Sequence, residues 1–113
     1  MIKRINSSLN NFINCSVLEL GGIDRPLLEK SNNYYYCGLD IEYKDKCNDL
    51  YDDFYVQSAE DKFDKKFDII FSTTLIEHLK NTKITFKNIY CALNDGGITY
   101  HYLPSKNHLY ALI

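Results

Sequence analysis

The stretch that most constrains this chain is Ser16–Asp24, SVLELGGID. Val17, Leu18 and Leu20 form an apolar run without alternation, the pattern of a central parallel strand covered on both faces. The run carries an acid near its end, Glu19, and passes straight into the glycine pair Gly21-Gly22. A strand that leads through a glycine turn into a helix opens a crevice at the carboxyl edge of an α/β sheet, where bare backbone can approach a ligand closely. The other walls of such a crevice come from the carboxyl ends of neighbouring strands.

The rest of the chain supplies strands of the right kind. Ile2, Ile5, Leu9, Phe12 and Ile13 lie three and four apart, which predicts a leading amphipathic helix over 2–13. Beyond the glycine pair, Asp24 can cap a helix with Pro26 in its first turn and Leu27 and Leu28 buried. YYYCGLDI (34–41) predicts a second strand with Asp40 at its carboxyl end, and 42–53 reads as a polar loop. A short third strand is expected at 54–57 and a strong fourth one, FDIIFS, at 67–72. Ile84, Phe86, Ile89, Tyr90 and Leu93 predict a helix, Asn94–Gly97 a turn and Ile98–Leu103 a fifth strand. Asn107–Ile113 reads as the opening of another helix. Alternation of this kind implies a mainly parallel sheet with right-handed crossovers and helices on both faces.

Composition narrows the function classes. A chain of 113 residues forms one domain, and 45% hydrophobic with 25% charged residues is the balance of a soluble globular protein. A net charge of −2 offers no general attraction to nucleic acid or to an anionic membrane. Between Asp40 and Asp68 ten acids face five lysines, an acidic solvated connection rather than a phosphate-binding surface. The tyrosines at 34–36 are not interleaved with Arg or Lys, so they read as sheet surface and not as a base-stacking platform. Cys15, Cys37, Cys47 and Cys91 contain no C-x-x-C pair, which argues against a zinc site and for reduced thiols, with Cys15, Cys37 and Cys91 buried in apolar runs. No apolar run approaches the roughly 20 residues that span a bilayer, and MIKRINSSLNNF lacks the apolar core of a signal peptide, so a cytoplasmic location is expected.

Taken in order, VLELGGID, CGLDI, QSAED, FDIIFSTTLIEHL and LNDGGITYHYLP resemble class I S-adenosylmethionine-dependent methyltransferases, most of all the small-molecule, type 11-like kind with an E-H-L segment after the fourth strand. The resemblance runs from about Cys15 to Pro104. It implies a Rossmann-like three-layer α/β sandwich forming a single, incomplete domain over 1–113, with S-adenosyl-L-methionine as cofactor. It further implies that Glu19, Gly21 and Gly22 form the floor of the cofactor loop and that Asp40 takes the ribose hydroxyls. Ile41 would pack on the adenine face, Ser58 and Ala59 would meet the adenine edge, and Ser72 and Thr73 would line the sulfonium and the substrate. His78 is the candidate base, ahead of His101 and His108. The sequence departs from the family where Ile23-Asp24-Arg25 replaces a glycine-rich continuation, and a β-branched residue there would be strained if its φ is positive. Strands beyond the fifth are absent from the expected order, which leaves strand five as a bare edge for a partner chain or oligomer to cover. The function expected is methyl transfer to a small-molecule or saccharide acceptor. The alternatives are a non-catalytic remnant of such a domain and a nicotinamide-binding oxidoreductase fragment, the latter lacking its G-x-G-x-x-G loop.

Overall fold

The two-sided apolar runs become the central strands. The computed structural model describes residues 1–104 and 108–112. In chain order the elements are α1 (Ile2–Leu9), β1 (Cys15–Leu20), β2 (Tyr34–Asp40), the single turn α2 (Cys47–Leu50), β3 (Asp53–Val56), β4 (Phe67–Ser72), a 3-10 turn (Ile76–His78), α3 (Thr82–Cys91), β5 (Leu93–Leu103) and β6 (His108–Leu112). They build one six-stranded sheet in the order β3-β2-β1-β4-β5-β6, parallel except for β6. The reversal of strand order around β1 and β4 makes the crevice expected of a Rossmann-like sheet.

The period-2 alternation of the strands divides the core into two layers. Val17, Tyr36, Ile69, Phe71 and Tyr100 face α1, Leu28, Cys47 and Tyr51 on one side. Leu18, Leu20, Cys37, Leu39 and Ile70 face Ile89 of α3 and Ala92, the residue that caps it, on the other. A hydroxyl pair, Ser8 Oγ with Tyr100 Oη at 2.5 Å, ties α1 to β5. Asn81 caps α3, its side chain accepting from Ile84 N at 3.1 Å. Among the described residues no helix is long and apolar enough to cross a membrane.

Several expectations are corrected. The helix after the glycine pair does not form: residues 21–33 are an irregular strap held to the sheet by side chains, and Asp24 pairs with Lys44 at 3.4 Å instead of capping a helix. α1 stops at Leu9, because Asn10-Asn11 favour a turn, and Ile13 is left exposed. The 42–53 loop contains α2, which buries Cys47. Cys91 is exposed, so Cys47 and not Cys91 joins Cys15 and Cys37 inside. The expected turn at Asn94–Gly97 is absorbed into β5 as a bulge, with Leu93 opposite Phe67 and Ile98 opposite Ile69, and Gly96 supplying φ +77°. The last segment is a strand rather than a helix. β6 pairs antiparallel with β5, placing Ala111 opposite Tyr100, so the edge of strand five is filled by the chain itself.

Candidate functional site

The carboxyl ends of β1 and β2, with the segments 57–60 and 75–80, enclose a cleft of about 400 Å³. Five of the residues picked out in the sequence line it: Gly21, Asp40, Ile41, Ser58 and Ala59. So does the candidate base His78, exposed on the 3-10 turn.

Each wall is placed by local chemistry. Gly21 turns out of β1 with φ +78°, a conformation that glycine adopts freely, and its N–H donates to Leu39 O at 2.8 Å. Asp40 closes β2; its Oδ1 accepts from Glu42 N at 3.0 Å, and its carbonyl accepts from Gln57 N at 3.0 Å, which carries the 57–60 segment beside it. Ser58 Oγ accepts from Glu60 N at 3.0 Å, and Ala59 O accepts from Asn88 Nδ2 of α3 at 3.2 Å. Ile41, 68% exposed, presents an apolar side chain at the rim. The segment after β4 folds inward on buried Ile76, and Leu75 and Leu79 add apolar surface to the cleft. Glu60 accepts from Asn81 N at 3.3 Å and joins the two walls.

Glu19 lies beneath the loop rather than in the cleft. Its Oε1 accepts from Leu27 N at 2.9 Å and from the Tyr36 hydroxyl, while Oε2, fully buried, has no partner. Burial outweighs these hydrogen bonds and raises its carboxyl to about 7. A Cβ at Gly22 would stand 2.6 Å from the Glu19 carboxyl carbon and 2.8 Å from the Tyr51 hydroxyl, so the space a side chain would need is already filled. Ile23 has φ +43°, the left-handed conformation suspected from the sequence; its carbonyl accepts from Tyr51 Oη at 2.9 Å and from Cys47 Sγ at 3.5 Å.

Ser72 and Thr73 do not line the cleft. Ser72 is fully buried and bonded to His101 Nδ1 at 2.7 Å. His101 Nε2 lies 2.5 Å from Thr99 Oγ1, which itself donates to Ile70 O at 2.8 Å, so the imidazole is the Nε2–H tautomer, donating to Thr99 and accepting from Ser72. Burial lowers its pKa to about 4, and it is held neutral within the sheet. His108 opens β6. Sequence reasoning missed Leu75, Leu79, Gln57, Glu60 and Lys80 as cleft residues. The four-residue spacing of Leu75 and Leu79 beside His78 was the available signal.

The family model described as "Methyltransferase domain" matches residues 3–111. The chain belongs to this family. Among solved structures, the methyltransferase domain is similar to a TehB-like SAM-dependent methyltransferase from Corynebacterium glutamicum, at 18% identity and TM-score 0.70 over 82% of this chain and 58% of that one. It is similar to the O-methyltransferase of a trans-AT PKS multienzyme of Brevibacillus brevis, solved with S-adenosyl-L-homocysteine, at 16% identity and TM-score 0.69 over 86% and 39%. It is also similar to an S-adenosylmethionine-dependent methyltransferase from Clostridium acetobutylicum, at 15% identity and TM-score 0.68 over 88% and 46%. The domain therefore spans between about two fifths and three fifths of the length of these three neighbours. No curated protein matches it.

Proposed function

We propose that the cleft binds S-adenosyl-L-methionine and that the domain transfers the methyl group to a small-molecule or saccharide acceptor. The observation that carries this reading is the convergence of Gly21, Asp40, Ile41, Ser58 and Ala59 on one cleft in a chain of the methyltransferase family. The residues fit the group. Asp40 spends one carboxylate oxygen on Glu42 N and keeps the other for the vicinal hydroxyls of a ribose. Ile41 and Leu79 offer apolar surface to a purine, and Ser58 offers a hydroxyl to its edge. The volume lies at the lower end of the roughly 300–1,000 Å³ of small-molecule sites.

The cofactor, when bound, supplies an electrophilic methyl on a good sulfonium leaving group, so the protein's share is mainly alignment. His78, exposed on the cleft wall, is the candidate to accept the proton that an acceptor hydroxyl or amine sheds, with Asp40 committed to the ribose and Glu60 to Asn81 N. The four free thiols accord with a cytoplasmic setting.

A second reading, a cofactor-binding remnant that does not transfer methyl, is favoured by the loop itself: Ile23 holds a left-handed conformation at a position where the family has glycine, and Ser72 is sealed away from the cleft. Calorimetric titration tests both. S-adenosylhomocysteine should bind and NAD should not, and Asp40→Ala should weaken binding about a hundredfold, the loss of two hydrogen bonds to a charged acceptor. Binding without transfer of labelled methyl to any small-molecule or saccharide acceptor selects the remnant. Absence of nucleoside binding overturns both readings.

A further inference from the structure

Resting on the cofactor reading of the cleft, we propose that Leu75 is a specificity-determining residue that makes this site recognise the adenosine half of its ligand, with the amino-acid half adding little affinity. Gly21 and Leu75 both line the cleft, and there Leu75 packs on Gly21. A Cβ built on Gly21 would lie 3.1 Å from Leu75 Cβ and 3.4 Å from Leu75 Cδ1, so the leucine rests on bare backbone. The groups that could hold a longer ligand are Gly22, the Ile23 carbonyl and Ser72, and none of these residues lines the cleft. At Gly22 the available space is taken by the Glu19 carboxyl and the Tyr51 hydroxyl. The Ile23 carbonyl is occupied by Tyr51 and Cys47, and Ser72 is buried against His101. Within the cleft, Asp40, Ile41, Ser58 and Ala59 supply an acceptor for a vicinal diol, an apolar face and a polar edge, the requirements of a nucleoside.

An adenosine group therefore enters without rearrangement, whereas an amino-acid tail must lift Leu75 off Gly21. Breaking that leucine–glycine packing offsets the hydrogen bonds the tail can form, and methyl transfer needs the leucine swung aside. The relevant comparison is between S-adenosylhomocysteine and 5′-methylthioadenosine, which share adenosine and sulfur and differ in the amino-acid end.

The test is calorimetric titration of both ligands on the wild type, Leu75→Ala, Leu75→Val and Leu79→Ala. In the wild type the two should bind within about threefold of each other, because the tail gains little net free energy. Leu75→Ala should open a preference of about tenfold for S-adenosylhomocysteine, and Leu75→Val a smaller one in the same direction, as the blocking side chain shrinks. Leu79→Ala should weaken both ligands alike. If Leu75→Ala does not fold, judged by its thermal melt, the ratio in Leu75→Val decides. A wild type that prefers S-adenosylhomocysteine by more than about tenfold, or Leu75 variants that leave the ratio unchanged, overturns the role of Leu75 while leaving the cofactor reading intact. Failure of every nucleoside to bind overturns the cofactor reading itself.

Discussion

Glu19 and Gly22 explain each other. An acid at the end of a buried strand has to find donors, and Glu19 finds them in Leu27 N and the Tyr36 hydroxyl. This leaves the carboxyl carbon 2.6 Å from where a Gly22 Cβ would be, so the second glycine of the pair is required by the acid behind it and not by backbone freedom. Gly22→Ala should cost about 3 kcal/mol in urea denaturation, because a fully buried carboxyl cannot retreat to water and overpacking of such a site is expensive. A loss below about 1 kcal/mol would mean that the loop yields easily and that the packing described has little hold on it. Residue by residue, the cleft was legible where a chemical type is tied to a strand end: Asp40 follows from its place at the end of β2. Leu75 was not legible, because its importance depends on lying 3.1 Å from a Cβ that Gly21 does not have, an approach of two segments 54 positions apart.

At the level of elements, the strap over 21–33 shows why strands were easier to read than helices. β1, β2 and β4 appear in the sequence as short apolar runs, and each forms within a residue or two of its expected bounds. The predicted helix after Gly22 rested on Pro26, Leu27 and Leu28, but beyond Ile23, four positions before Leu27, no apolar residue lies three or four positions from either leucine to extend a stripe. The sheet meanwhile claims the backbone donors a helix would use: Leu27 N goes to Glu19 and Leu28 N to the Tyr36 hydroxyl at 3.2 Å. The end of the chain failed for a related reason. An apolar run of this length suits helix or strand, and only antiparallel pairing with the free side of β5, the element just before it in the chain, makes it β6. The strap depends heavily on one hydroxyl, since Tyr36 donates to Glu19 and accepts from Leu28 N. Tyr36→Phe removes both bonds without changing the ring, and should cost about 2 kcal/mol and speed amide exchange at Leu27 and Leu28 well before the strand amides. Exchange that rises uniformly across the sheet would show the strap to be no separate unit.

Across the whole molecule, two buried titratable groups on opposite layers of the sheet act against each other. Glu19 is raised from 4.5 to about 7 by burial, so between those pH values the unfolded chain releases a proton that the folded one keeps. Its contribution is fully present below pH 4.5, falls as pH rises and is lost above about 7. His101 is lowered from 6.5 to about 4 by burial, so between those values the unfolded chain binds a proton that the folded one refuses. Its contribution is present above pH 6.5 and lost as pH falls to about 4. Each amounts to on the order of 3 kcal/mol across its window, and where the windows overlap the opposing slopes nearly cancel. The wild type should therefore show almost constant unfolding free energy between pH 4.5 and 6.5, the interval common to both groups. Glu19→Gln removes the falling slope and leaves that of His101, so its stability should climb by about 3 kcal/mol from pH 4 to 6.5. His101→Gln should do the reverse and lose stability from pH 4.5 to 7. Urea denaturation of the three proteins across this range decides the matter: parallel profiles would show that neither group titrates differently in the folded state. Opposed slopes would also show that Glu19 keeps its proton well above the usual carboxylate range, which is how an acid can lie beneath the 21–33 strap with Oε2 unpartnered among the described residues and the strap still remain on the sheet.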